Sequence, residues 1–179
     1  MEKLGLIYGS DTGATESVIE VLVGIINKEV EVIEVCNVDE DDFLKFDFLI
    51  LGLPTWYDGD LQSDWEDYYD TFKTIDFTNK IVAIFGLGDQ IGYDEYFVDG
   101  IGILAQVVIK NGGKLIGNCS TDGYDFMQSK AEKSKGVFYG LPIDEDNQHH
   151  ETENRIEKWW QQLKEEFYKV QSSISTMSS

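Results

Sequence analysis

Residues 3–15 read KLGLIYGSDTGAT, a short apolar segment that runs directly into a turn rich in glycine, serine and threonine. Residues 3–8 have the length and side chains of a buried β-strand, and the glycines at 9 and 13 indicate the turn. From Thr15 to Asn27 the apolar residues recur at the spacing of one helical face. The stretch therefore predicts a strand, a polar loop and a helix that begins at the end of that loop.

The same alternation continues along the chain. Apolar runs predict strands at 30–35, 48–53, 81–85 and 114–119, and amphipathic segments predict helices at 64–72, 97–110 and 151–170. Strands that alternate with helices favour an α/β fold, in which a parallel sheet with right-handed crossovers is covered by helices on both faces. The last helix is predicted to bury one face, which carries Ile156, Trp159, Trp160, Leu163 and Phe167.

The chain of 179 residues predicts one domain over residues 1–170. Residues 121–148 have no clear hydrophobic periodicity and are predicted to form a loop-rich insertion. Residues 171–179 are polar and without pattern, so we expect a flexible tail.

Composition and charge exclude several classes of function. The chain has 34 acidic and 14 basic residues, a formal net charge of −20. This charge excludes ordinary binding to duplex nucleic acid and argues against docking on anionic membranes. It favours a positively charged protein partner, because a field of this size steers encounter.

The cysteines and the apolar runs indicate the cellular compartment in which the protein works. Cys36 and Cys119 lie far apart in no metal-binding or redox spacing, which is typical of free thiols in a reducing cytosol. No apolar run reaches the roughly 20 residues of a membrane span, and the first residues do not resemble a signal peptide. We therefore expect a cytoplasmic protein.

The loop after the first strand, Ser10 to Thr15, is a candidate phosphate site without a cation. Its hydroxyl groups and the unpaired amides of the following helix are suitable donors to a phosphate. The loop lacks the Gly-Lys-Ser/Thr of nucleoside-triphosphate sites, and Gly86 to Ile91 lacks the third glycine of a dinucleotide site. A capped helix start with spare hydroxyl groups is the alternative that this loop alone leaves open.

Two further loops reach the same edge of the predicted sheet, since ligands of open parallel sheets bind beyond the carboxyl ends of the strands. Trp56 and Tyr57 follow the third strand, and a glycine-rich loop ending at Tyr93 follows the fourth. Each loop alone is more often structural than functional. Together with the phosphate loop, they predict a site for a planar mononucleotide that is covered by aromatic side chains.

Five segments carry a family resemblance: SDTGAT at 10–15, PTW at 54–56, LQSDWE at 61–66, FGLGDQIGY at 85–93 and STDGYDF at 120–126. In combination they resemble flavodoxins, and the long-chain type of cyanobacteria and algae in particular, over about residues 3–169. The resemblance implies a doubly wound, five-stranded parallel sheet of order 2-1-3-4-5, with the long-chain insertion in the last strand.

The resemblance also implies a function. It indicates non-covalently bound FMN and a low-potential one-electron carrier, not an enzyme, that shuttles between semiquinone and hydroquinone. The phosphate would lie on the first loop and the flavin ring between Trp56 and Tyr93, with the carbonyl of Tyr57 turning toward flavin N5 on reduction. The implied cofactor-binding residues are Ser10, Asp11, Thr12, Gly13, Ala14, Thr15, Pro54, Thr55, Trp56, Tyr57, Asp58, Gly59, Gly86, Leu87, Gly88, Asp89, Tyr93 and Phe97.

The charges around this site bear on its potential and its partners. From Asp58 to Asp99 the chain has eleven acidic and two basic residues, a field that opposes added negative charge. Asp58 departs from the family pattern, in which an apolar residue is usual. We hypothesise that its charge alters the reduction potential of the cofactor. The resemblance implies photosystem I as electron donor and ferredoxin–NADP reductase as acceptor, and we expect a monomer.

Two other classes of function stay open at this point. One is an FMN-dependent NAD(P)H:quinone reductase-like enzyme, which needs a pocket for a second substrate. The other is a binding module of the same fold without a flavin. A metal site is not expected, because His149 and His150 are adjacent and face different ways, and residues 144–147 lack the spacing and the glycine of a calcium loop.

Overall fold

Strands and helices alternate along residues 3–177, the part of the chain that the computed structural model describes; side chains are described for residues 3–173. The strands are β1 Leu4–Tyr8, β2 Glu31–Glu34, β3 Phe48–Trp56, β4 Asp60–Leu61, β5 Ile81–Leu87, β6 Lys114–Leu115, β7 Cys119–Ser120, β8 Glu132–Ser134, β9 Val137–Phe138 and β10 Leu141–Ile143. The α-helices are α1 Ala14–Ile26, α2 Glu40–Leu44, α3 Ser63–Phe72, α4 Asp99–Lys110, α5 Glu145–Gln148 and α6 Thr152–Met177.

The main sheet is parallel, and its last strand is made of two pieces. Its order is β2–β1–β3–β5, and both β6 and β10 pair with β5. The first piece, β6, lies beside Ile81 and Val82, whereas β10 lies beside residues 85–87 at the other end of β5. The predicted α/β fold, the strand order 2-1-3-4-5 and the interruption of the last strand are confirmed.

The insertion differs from the sequence prediction in its bounds. It comprises residues 116–140, between β6 and β10, and holds a small antiparallel sheet of order β7–β9–β8. The strand predicted at 114–119 ends at Leu115, and residues 141–148, predicted as part of the insertion, form β10 and α5. A three-residue strand such as β10 is too short to produce a recognisable period, which explains the error.

Two apolar layers hold the helices on the main sheet. Alternate residues of β3 point to opposite faces, so that Phe48 and Ile50 pack with α1 and α6, while Leu49 and Leu51 pack with α3 and α4. All five residues predicted for the inner face of α6 are buried: Ile156, Trp159, Trp160, Leu163 and Phe167.

Strand β3 continues three residues beyond its predicted end and forms a hairpin with β4. Thr55 pairs with Leu61 and Trp56 with Asp60, in antiparallel register. The chain reverses through residues 57–59, which we call the turn, and the Gly59 amide donates to the Trp56 carbonyl at 3.1 Å. Tyr57 and Gly59 both have positive φ values, 41° and 88°. The hairpin thus carries two aromatic residues to the carboxyl edge of the sheet.

The end of the chain also differs from its prediction. Helix α6 continues to Met177, seven residues past the predicted end at 170, because each residue added to an existing helix gains a hydrogen bond. The flexibility expected for residues 171–179 stays a prediction, and residues 178–179 lie outside the described part of the chain. Within residues 3–177, no helix has both the length and the apolar character needed to cross a membrane.

Candidate cofactor site

A cavity of about 350 Å³ opens at the carboxyl edge of the main sheet. Three loops supply most of its wall, namely those that follow β1, β3 and β5. Eleven of the predicted site residues line it: Thr12, Ala14, Thr15, Pro54, Thr55, Trp56, Tyr57, Leu87, Gly88, Asp89 and Tyr93. The structure therefore brings the three predicted segments together around one space.

The loop after β1 is shaped by its own hydrogen bonds. The Gly13 amide donates to Ser10 Oγ at 3.2 Å, and the Ser10 hydroxyl donates to Glu16 Oε2 at 2.6 Å. Gly13 has φ +86°, a left-handed conformation that a glycine adopts without strain. Ser10 and Gly13 do not line the cavity, so their part in the site is to hold the loop in the conformation that leads into α1.

Thr15 is the one residue of this loop whose side chain lacks a partner although it is buried. Only 1% of its surface is exposed, and its Oγ1 has no hydrogen-bond partner within the described residues. A buried hydroxyl without a partner is costly, by about 1–3 kcal/mol. Since Thr15 lines the cavity in the first turn of α1, its hydroxyl is placed to donate to an anionic group there.

Asp11 is not part of the cavity lining and ties the loop to α3. Its Oδ1 accepts from Gln62 Nε2 at 2.9 Å and from the Ser63 hydroxyl at 2.8 Å. Burial alone would raise the pKa of Asp11, but the hydrogen bonds from Gln62 and Ser63 lower it below the usual value. Asp11 is thus an ionised anchor for the loop and does not line the cavity.

Gln62 was not predicted as a site residue. Its side chain is fully buried, and besides Asp11 it binds Asp64 Oδ2 at 2.9 Å and accepts from the Trp65 amide at 3.2 Å. A Cβ atom at Gly9 would lie 1.9 Å from Gln62 Oε1. Only a glycine therefore leaves room for the Gln62 side chain at this point of the loop. The sequence gives little signal for this role, because Gln62 is the first of three polar residues between Leu61 and Trp65.

Aromatic side chains from two loops form the walls of the cavity. Trp56 is half-buried at the end of β3, and its ring centroid lies 6.2 Å from that of Tyr57. Tyr57 is 66% exposed, and Tyr93, from the loop after β5, is 47% exposed. Rings as open as these are available to cover a flat ligand.

Asp89 organises the loop that carries Tyr93. Its Oδ1 accepts from the amides of Ile91 and Gly92, at 3.0 and 2.7 Å, and from Asn147 Nδ2 at 2.8 Å. Burial would raise the pKa of Asp89, but these hydrogen bonds lower it below its usual value. The Tyr93 amide in turn donates to the Asp89 carbonyl, which fixes the backbone from which the ring projects.

The cavity rim is acidic. Besides Asp89 it includes Glu145 and Asp146 from α5, two residues that were not predicted for the site, and no lysine or arginine lines the cavity within the described part of the chain. Partial burial and the neighbouring charges of Asp89 and Asp144 raise the pKa of Asp146. The sequence prediction missed α5 because it assigned residues 121–148 to the insertion.

Four other predicted residues lie outside the cavity lining. Asp58 is exposed on the turn, and Gly59 is buried beneath it. Gly86 lets α4 approach β5, since a Cβ atom there would lie 2.6 Å from Ile101 Cγ1. Phe97 is corrected to a core residue, because it is 1% exposed and packs on rings of the insertion.

Comparisons with known proteins agree with this architecture. A sequence model of the family described as flavodoxin matches residues 6–159. A flavodoxin of Nostoc sp. (strain PCC 7120) is 48% identical over 93% of this chain and 98% of its own length. Flavodoxin 1 of Escherichia coli (strain K12) is 41% identical over 92% of this chain and 94% of its own length.

Solved structures give the same result. The crystal structure of Fusobacterium nucleatum flavodoxin bound to flavin mononucleotide has a TM-score of 0.88 and 33% identity, and the match covers 93% of this chain and 99% of that one. The sheet order, the divided last strand and a sequence match over most of the length agree with one another. The chain belongs to the flavodoxin family.

Proposed function

We propose that the cavity binds FMN non-covalently and that the protein carries single electrons between redox proteins. The observation that carries this proposal is the buried Thr15 hydroxyl at the start of α1, which has no hydrogen-bond partner among the described residues and lies in a loop without lysine or arginine, beside two aromatic side chains. The curated relatives support a carrier rather than an enzyme, because they are named flavodoxins. The same names do not favour the quinone reductase alternative.

The lining residues fit the chemical parts of FMN. Thr12, Thr15 and the free amides at the start of α1 would hold the phosphate, and Trp56 and Tyr93 would cover the flavin ring. When bound, FMN supplies a ring that accepts and releases electrons one at a time. The three carboxylates at the rim disfavour added negative charge in the cavity, and they therefore hold the second reduction potential low.

Stepwise anaerobic reduction of the FMN-loaded protein tests this proposal. We expect two separate one-electron steps in the absorption spectrum, and negligible oxidation of NADPH by the protein and a quinone alone. A single two-electron step, or rapid NADPH-dependent quinone reduction, would contradict the carrier function.

Asp58 provides a prediction about the reduction potential of the second one-electron step. Replacing it with Asn is expected to raise that potential by about 20–40 mV at low salt, since removal of a solvated negative charge on the turn beside the cavity makes further reduction easier. The matched control is Asp47→Asn, the same charge change at the opposite edge of the sheet, before β3. Equal potentials in the Asp58 variant and the wild type would refute the role of this carboxylate.

We also propose that the acidic surface beside the turn docks basic patches of redox partners. Asp58, Asp60, Glu66 and Asp67 are exposed there, whereas Asp70 forms an ion pair with Lys73 at 2.7 Å. Photosystem I and ferredoxin–NADP reductase are the proposed partners of a monomeric, cytoplasmic carrier. Association with a basic partner should slow at least about tenfold between 0.01 and 0.5 M salt in stopped-flow measurements, and a salt-independent rate would rule out electrostatic docking.

A further inference from the structure

Among the contacts between the insertion and the loops of the candidate cofactor site is one ion pair. Asp99, the first residue of α4, is 1% exposed. Its Oδ1 accepts from the Lys130 amide at 2.7 Å, and its Oδ2 pairs with Lys130 Nζ at 3.1 Å. Lys130 belongs to the insertion, so an element outside the cavity lining supplies both donors to this buried carboxylate.

The turn rests directly on this pair. A Cβ atom built on Gly59 would lie 2.7 Å from Asp99 Oδ2 and 3.4 Å from Lys130 Nζ, so the ion pair touches the backbone of the turn. The other end of the hairpin is held by the same helix, since the Gly100 amide donates to Thr55 Oγ1 at 2.9 Å. The base of the turn is therefore fixed on a buried charge whose partner belongs to the insertion.

The turn itself needs such support. Tyr57 has φ +41° without being a glycine, a conformation that costs free energy and persists only when its surroundings enforce it. Tyr57 is also largely exposed, so its own side chain contributes little packing. Within the turn, one hydrogen bond from Gly59 to Trp56 closes the loop. The conformation of this part of the cavity wall thus depends on what lies beneath Gly59.

The insertion is fixed well enough to provide that support. Phe126 and Phe138 pack on Phe97 with ring centroids 5.6 and 6.2 Å apart. Gly102 of α4 allows a close approach, since a Cβ atom there would lie 2.0 Å from the Lys130 carbonyl. The backbone of Lys130 therefore has a defined position against α4.

We propose that Lys130 and Asp99 are positioning residues, through which the insertion holds the turn in the conformation that completes the cavity. The consequence for binding rests on the proposed FMN function, but the effect on the turn does not. A preordered wall lowers the entropy that must be lost on binding, and it therefore increases the affinity for the cofactor.

The test replaces Lys130 with Met, which keeps the apolar stem and removes the charge. In the FMN-free full chain, amide exchange at Gly59 should accelerate about tenfold, while exchange at Gly9, which donates to Gly52 outside this region, stays unchanged. In the FMN-loaded protein the dissociation constant should rise about five- to tenfold. Lys130→Arg should restore both quantities, because it retains the charge.

Lys133→Met is the matched control, an exposed lysine of the same insertion that should leave both quantities within about twofold. Three outcomes would overturn the proposal. Amide exchange at Gly59 could be unchanged in Lys130→Met, or it could accelerate no more than exchange at Gly9. The control Lys133→Met could also change exchange and FMN affinity as much as Lys130→Met does. Absence of FMN binding by the wild type would instead contradict the proposed function, and the exchange measurement would still decide the role of the pair.

Discussion

Replacing Thr15 with Val is expected to weaken FMN binding by about 10- to 100-fold, the equivalent of one hydrogen bond to a charged group. The substitution keeps the shape of the side chain and removes only the hydroxyl, which has no partner among the residues that the structure describes. The FMN-free form should become more stable by about 1 kcal/mol, because a buried polar group without a partner is removed. Titration calorimetry and urea unfolding measure the two effects.

The opposite signs of these effects distinguish a binding hydroxyl from a structural one. A structural hydroxyl would reduce the stability of the FMN-free form when it is removed. Thr74→Val, an exposed site after α3 at the far end of the sheet, is the control and should leave FMN affinity unchanged. Unaltered affinity in the Thr15 variant would show that this hydroxyl does not hold the phosphate.

Replacing Gln62 with Glu is expected to destabilise the protein by about 3–5 kcal/mol at pH 7. The change is isosteric, but it removes the N–H donors and sets a buried carboxylate within 2.9 Å of both Asp11 and Asp64. FMN affinity should fall as well, because Asp11 loses the hydrogen bond from Gln62 and keeps only that from Ser63 to tie the phosphate loop to α3.

The pH dependence of this variant follows from the sign of the pKa shift. Burial and two carboxylate neighbours raise the folded-state pKa of the new carboxyl above its unfolded value near about 4.3. The part of the destabilisation that comes from the added charge is complete above the folded-state pKa and is lost as the pH falls toward the unfolded value. The difference from wild type should therefore be smaller at pH 5 than at pH 7.5.

Gln161→Glu makes the same chemical change at an exposed position of α6 and serves as the control. It should change the free energy of unfolding by no more than about 0.5 kcal/mol. Equal stability of Gln62→Glu and wild type at pH 7 would contradict the role given to the buried amide.

The sequence predicts those parts of the fold that produce a clear period. Strand β5 is a continuous apolar run, and α6 repeats apolar residues at helical spacing along one face. The sequence therefore predicts both elements. The first piece of the divided last strand begins at Lys114 as predicted, but β6 has only two residues, and the three residues of β10 were not predicted as a strand. Pairing with β5, which is a tertiary contact, decides where these pieces lie, and local pattern does not contain that information.

The candidate site shows the same limit. Loops that follow apolar strands were predicted to meet at one edge, and Thr15, Trp56 and Tyr93 do line one cavity. Gln62 was missed because its importance depends on the approach of Gly9 and Asp11, which are about fifty residues away in sequence. Phe97 was assigned to the site by resemblance, but packing with the insertion buries it.

Titration of the FMN-free chain with FMN, and in parallel with riboflavin, tests the central claim most directly. If the loop from Ser10 to Thr15 holds a phosphate and the aromatic side chains cover the ring, FMN should bind one to one with a dissociation constant below about 1 μM. Riboflavin, which lacks the phosphate, should bind at least about tenfold more weakly. A chain that leaves micromolar FMN unbound would contradict the account.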